Sequence, residues 1–125
     1  MLANTDAATN IAVRDVKAAR KFYEGTLGLK QVDAEGDELV AYQSGDTTIL
    51  VYRSEYAGSN KATALTWNVG DEIEGVAREL KGKGVRFEHY KMDGMDLKGD
   101  LHVGHGMKIA WFKDPDGNIL SIVSG

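Results

Sequence analysis

One order of elements occurs twice in this 125-residue chain, and that repeat constrains the fold more than any other feature. Residues 9–13 form a short apolar strand. Asp15 stands at a helix N-cap position. Val16, Ala19, Phe22, Tyr23 and Leu27 then recur at helical spacing, and Gly28 sits where a helix C-cap belongs. Residues 29–33 re-enter a strand, and 38–43 and 47–53 form a hairpin about Ser44-Gly45-Asp46. The second half begins again with a strand over 63–69. Asp71 opens a helix that carries Ile73, Val76, Ala77 and Leu80 on one face, closed by Gly82 or Gly84, and a strand follows over 85–90. An offset of 56 residues carries Val13 to Val69, Asp15 to Asp71, Gly28 to Gly84 and Leu29 to Val85. For the last strands the offset is 71, carrying Ile49 to Leu120 and Val51 to Ile122. The registers differ by 15 residues, an insertion in the second half near residues 92–106. Repeats of this length mark a duplicated supersecondary unit. The insertion reads as a loop, and a long loop in a small domain suits a lid or a binding segment.

The chain closes on a hairpin over residues 108–123. Residues 109–113 and 119–123 are strands, and Asp114-Pro115-Asp116-Gly117-Asn118 is the turn. Pro115 presets φ, Gly117 supplies a positive φ, and the Asp and Asn side chains can bond nearby amides.

Composition narrows the function classes. A formal charge of −4 with no basic stretch gives no support to nucleic-acid binding, and no apolar run reaches the ~20 residues of a membrane span. There is no cysteine, so disulfide and thiolate chemistry are excluded. The first ten residues carry no charged and then apolar leader pattern, and a cytoplasmic protein is the expectation.

Two stretches carry a resemblance. Val13-Arg14-Asp15-Val16 through Phe22-Tyr23 to Leu27-Gly28-Leu29, together with residues 111–118 (WFKDPDGN), resemble the vicinal oxygen chelate superfamily, also called the glyoxalase/bleomycin-resistance/dioxygenase superfamily. The resemblance covers nearly the whole chain. It implies an α+β fold of two βαβββ modules, about 5–56 and 60–125 within one domain, whose eight strands curl into an open barrel-like cup. It also implies pairing of two chains into a homodimer. Enzymes of this superfamily hold a divalent metal with four His, Glu or Gln side chains from the first and last strand of each module. Polarising a carbonyl or enediolate takes a Lewis acid with vacant positions.

Aligned on the motifs and the repeat, those four positions are Ala8, Leu50, Ala64 and Ser121. Alkyl groups cannot ligate a metal, and a neutral hydroxyl is a poor ligand. The reading is that the usual metal site is missing and that no cofactor is needed. Strand alternation then puts Asn10, Ala12, Thr48, Leu50, Tyr52, Ala64, Thr66, Asn68, Ile119, Ser121 and Val123 on the cup side, with Ile109 and Trp111. Phe112, Trp67 and Val69 are expected on the helix side. No Asp, Glu, Lys or His falls at these inward positions. Such a cup suits a flat organic ligand held by stacking and a few hydrogen bonds. Trp111, Tyr52 and Tyr42 are the candidate stacking residues, Thr48, Asn68 and Ser121 would orient the ligand, Leu50 would pack on it, and His102 or Tyr90 could touch it from the loop.

The competing readings remain open at this level. The first is a metal-independent binding protein, similar to bleomycin-resistance members that sequester a drug or another aromatic compound. The second is a glyoxalase-type lyase or isomerase, or a dioxygenase, using either a metal relocated to the loop histidines beside Asp93, Asp96 and Asp100 or no metal, with His89, His102 or His105 as the only available acid or base. The third is an interaction module in which Leu50, Tyr52 and Trp111 are simply core or interface residues.

Overall fold

The repeat emerges in the backbone as two sheets. The computed structural model describes Met1–Gly125 and forms two compact units, Met1–Ser59 and Asn60–Gly125. The fold is mixed α+β, with two sheets that keep free edges and therefore no closed barrel. No helix is long and apolar enough to cross a membrane.

In the first unit, β1 (Ala8–Val13) leads into α1 (Val16–Arg20), whose winding loosens to a π-helical stretch over Lys21–Thr26. Asp15 caps the helix: its Oδ1 accepts from the backbone N–H groups of Lys17 at 2.9 Å and Ala18 at 3.5 Å. Gly28, at φ 74°, ends the helical segment. Then come β2 (Lys30–Glu35), β3 (Leu39–Ser44) and β4 (Thr47–Arg53), in the order β1-β4-β3-β2 with β1 parallel to β4. α1 packs on β4. The helix-side residues Ile11, Val13, Val40, Tyr42, Ile49 and Val51 are no more than 2% exposed, as are Val16, Ala19 and Tyr23 of the helix. Each buried aliphatic is worth roughly 1.5–3 kcal/mol, and a one-residue slip would turn the whole row to the other face. That cost sets the register.

The second unit repeats the plan with additions. It runs β5 (Thr63–Asn68), a single 3-10 turn (Gly70–Glu72), α2 (Ile73–Gly82), β6 (Phe87–Glu88), β7 (Asp96–Lys98), β8 (Leu101–Gly104), β9 (Met107–Lys113) and β10 (Ile119–Ser124). The sheet order is β5-β10-β9-β8-β7, with β6 on the same edge of β9 as β8. Three expectations need correction. Asp71 lies inside the 3-10 turn, and no side chain caps α2. The strand expected over 85–90 shrinks to two residues. The expected loop over 92–106 contains β7 and β8, so the two sheets hold ten strands rather than eight. The physical reason is that the insertion finds an unpaired edge on β9 and satisfies its backbone there.

The closing turn behaves as its sequence requires. Asp114 is buried, its Oδ1 accepts from the backbone N–H groups of Asp116 and Asn118, both at 2.9 Å, and its Oδ2 accepts from Asn118 Nδ2 at 2.8 Å. Gly117 takes φ 90°. The turn pins the β9–β10 register, which sets Ser121 opposite Trp111 and Leu120 opposite Phe112.

Candidate functional site

Each sheet has one face under its helix and one face free of it, and the site residues divide between these faces by strand parity. On the first sheet, β1 and β4 align Ala8 with Thr48, Asn10 with Leu50 and Ala12 with Tyr52. This row alternates with the buried Ile49 and Val51, so Ala8, Thr48, Leu50 and Tyr52 share the helix-free face. Thr48 and Leu50 are half-buried and Tyr52 is exposed. The face is apolar and amide in character.

Tyr42 departs from the expected group. It pairs with Ile49 and therefore points under α1, fully buried, with its ring stacked on Tyr23 at 6.2 Å. Its hydroxyl donates to Glu24 Oε2 at 2.7 Å. Burial and then the Glu24 carboxylate push the phenol well above its usual pKa. Tyr42 has no surface on which a ligand could stack. Parity decides this, because Tyr42 is one residue out of phase with Ala41, the partner of Leu50.

On the second sheet, Trp111, Ser121 and Thr66 form one row on the helix-free face. Thr66 Oγ1 and Ser121 Oγ lie 2.8 Å apart, and Trp111 Nε1 donates to Thr63 Oγ1 at 3.1 Å. Phe112 turns the other way, is fully buried and meets Phe87 edge-on at 5.9 Å. Trp67 pairs with the buried Ile122 on the helix side. Asn68 is exposed, and its Oδ1 accepts the Gly70 N–H at 3.0 Å, so its acceptor serves the local turn. Ala64 is the extra residue of a β-bulge where β5 meets β10.

The main surprise is His102. It lies on β8, opposite Ile109, and is 1% exposed. Nε2 accepts the Tyr90 backbone N–H at 2.9 Å, which leaves Nδ1–H to donate to the Ile109 carbonyl at 3.2 Å. Both nitrogens are therefore engaged, and His102 is a buried support rather than a ligand contact. Its ring meets Trp111 edge-on at 4.8 Å, and Tyr90 meets Trp111 edge-on at 5.3 Å. Trp111 is thus met edge-on by two aromatic rings that stack on each other at 6.3 Å.

The other two histidines have separate surroundings. His89 Nε2 lies 2.8 Å from Asp100 Oδ1, and Lys81 Nζ lies 3.4 Å from Asp100 Oδ2. The hydrogen bond from His89, helped by Lys81, holds the Asp100 carboxyl below its usual range. His105 takes φ 52° in the two-residue turn between β8 and β9, and its Nε2 lies 3.3 Å from the Asp93 carbonyl. No three His, Cys, Asp or Glu side chains come together as a metal-ligand group. Of the four positions the resemblance assigns to metal ligands, Ala8, Leu50 and Ala64 carry no donor atom. The fourth, Ser121, already shares its hydroxyl with Thr66. These residues do not fit the family's metal.

The helix-free face also holds charge that simple alternation over the sequence missed. Glu88 pairs with Trp111 across β6 and β9, and Lys113 Nζ lies 3.4 Å from Glu88 Oε1. Thr63 was missed as well. The alternation Phe87, Glu88 against Phe112, Trp111 could have placed Glu88, once Phe112 was taken as helix-facing.

The family model described as Glyoxalase/Bleomycin resistance protein/Dioxygenase superfamily matches residues 7–122. No curated protein matches the sequence. Among solved structures, the chain is similar to lactoylglutathione lyase from Agrobacterium tumefaciens, with 17% identity over 98% of this chain and 94% of that one and a TM-score of 0.73. It is similar to the fosfomycin resistance protein FosX from Mesorhizobium loti, with 14% identity over 98% and 92% and a TM-score of 0.70. A glyoxalase family protein from Enterococcus faecalis gives 18% identity over 99% and 100% and a TM-score of 0.74. At these identities the likeness is one of fold.

Proposed function

The chain belongs to the glyoxalase/bleomycin resistance protein/dioxygenase superfamily, and from that premise we propose that it binds a small aromatic organic compound without a metal ion. The observation that carries this reading is the pairing of two facts. The family's ligand positions are Ala8, Leu50, Ala64 and Ser121, and the helix-free face of the second sheet presents Trp111 braced by Tyr90 and His102. A braced indole loses little freedom on stacking, and a planar ligand gains contact area without that cost. Beside Trp111, Thr66, held by Ser121, and Asn68 supply polar contacts, while Thr48, Leu50 and Tyr52 form an apolar surface with a hydroxyl on the first unit's own sheet. In this reading the protein works in the cytoplasm as a homodimer, for which light scattering at twice the 13.6 kDa chain mass is the check.

The relocated-metal reading has less support. Of the three histidines, only His89 keeps company with a carboxylate, and His102 has both nitrogens committed. The experiment is elemental analysis of protein purified without chelator or metal resin, then titration with Zn²⁺, Ni²⁺, Mn²⁺ and Fe²⁺. Naphthalene binding is then followed by tryptophan fluorescence in the wild type and in Trp111→Phe. The expected result is no stoichiometric ion and a binding signal that survives EDTA and disappears in Trp111→Phe. One tightly held ion per chain would overturn the proposal, as would naphthalene binding that ignores Trp111.

A further inference from the structure

The hydroxyl groups around Trp111 define the chemistry of the compound that would fit there. Trp111 Nε1–H donates to Thr63 Oγ1 at 3.1 Å, so the Thr63 hydroxyl is used as an acceptor and keeps its own proton. Thr66 Oγ1 and Ser121 Oγ are 2.8 Å apart, so one hydroxyl donates to the other and a single O–H proton of the pair is left over. Ser121 is 2% exposed and Thr66 is exposed, so Thr66 is the member that a ligand can reach. The face therefore offers two O–H donors, both on β5: Thr66 in the Trp111–Ser121 row and Thr63 beside the Trp111 Nε1–H.

The carboxylate on the same face is already paired. Glu88, beside Trp111, lies 3.4 Å from Lys113, so an aromatic cation would have to break that ion pair to gain a counter-ion there. A plain hydrocarbon would stack on the indole but strip water from two hydroxyl protons without replacing it, which is unfavourable.

Resting on the proposed function, we propose that this face selects uncharged planar aromatics that carry hydrogen-bond-accepting oxygens, the aryl ketone and quinone class. Thr63 and Thr66 donate to the two oxygens, and Trp111 and Tyr90 supply the apolar contact. No bond is made or broken.

The test uses three two-ring probes on the full chain: para-naphthoquinone, naphthalene and N-methylquinolinium, with affinities from calorimetry. The absence of cysteine removes thiol addition to the quinone as a complication. The expected order puts the quinone at least about tenfold tighter than either of the others, the gain of one to two net hydrogen bonds. Thr63→Val and Thr66→Val, which keep side-chain shape, should abolish the quinone's advantage over naphthalene. Equal affinity for quinone and naphthalene, or tighter binding of the cation, overturns this inference and leaves aromatic binding standing. Failure of all three probes to bind overturns the proposed function and this inference with it.

Discussion

The two sheets began from one plan and differ most along one edge of their third strand. In the first unit, a single strand, β2, runs along β3 from Lys30 opposite Gln43 to Glu35 opposite Leu39, with one bulge. In the second unit, the matching edge of β9 is covered in two pieces. β6 reaches only Trp111 and Phe112, and β8 from the insertion covers Met107 to Ile109. Between the pieces the ladder is broken, and the His102 imidazole bridges the break by taking the Tyr90 N–H and giving its own N–H to the Ile109 carbonyl. An edge mended by a side chain can place aromatic groups that a continuous ladder would not, and Trp111, Tyr90 and His102 cluster at this junction. The continuous edge of the first unit has no equivalent cluster.

The comparison can be broken most severely at His102. His102→Ala should cost about 3 kcal/mol, because it opens a buried void and orphans two backbone groups. Urea unfolding measures the loss, and His102→Gln, which can both accept and donate, should recover part of it. Equal stability of His102→Ala and wild type would mean that the break needs no bridge.

The first unit answers with a smaller effect at Tyr42. Tyr42→Phe should cost about 1 kcal/mol near neutral pH, from the lost bond to Glu24. The folded phenol titrates above its unfolded value. Its stabilisation is therefore complete below the usual phenol range near ~10 and is lost as pH rises through the higher folded value. Melting curves between neutral pH and the alkaline limit should show a steeper decline for the wild type than for Tyr42→Phe.

The smallest effect belongs to Asp100, at the turn between β7 and β8. Its carboxyl is held low by His89, so its contribution is present above the unfolded value near ~4 and is lost as pH falls through the lower folded value. Solvent screening keeps it below ~1 kcal/mol. Amide exchange should show β7 and β8 loosening in acid before the first sheet does, and Asp100→Asn should lessen that difference.

The duplicated order, the Asp15 cap, the 114–118 turn and the parity of most strands could all be read directly from residue types. Each depends on neighbours no more than a few positions away. Trp111, Ser121, Leu50, Tyr52 and Thr48 reached the helix-free faces because their strands keep strict alternation. The placements of Tyr42, His102 and Ala64 were not legible in the same way. Tyr42 needed the β3–β4 register, Ala64 sits in a bulge, and His102 lies in a segment whose glycines and charges give no periodicity.

By itself, the sequence determined the family of folds, the two-unit plan and the Asp-Pro-Asp-Gly-Asn turn that sets the last hairpin. These follow from local spacing and from the chemistry of single side chains. Only the tertiary structure decided what the insertion does. A strand of three or four residues has too little intrinsic preference to declare itself, and it forms because β9 presents an edge that must be satisfied. The same edge turned His102 from a loop histidine into a buried bridge, and Trp111 from an isolated indole into a braced one.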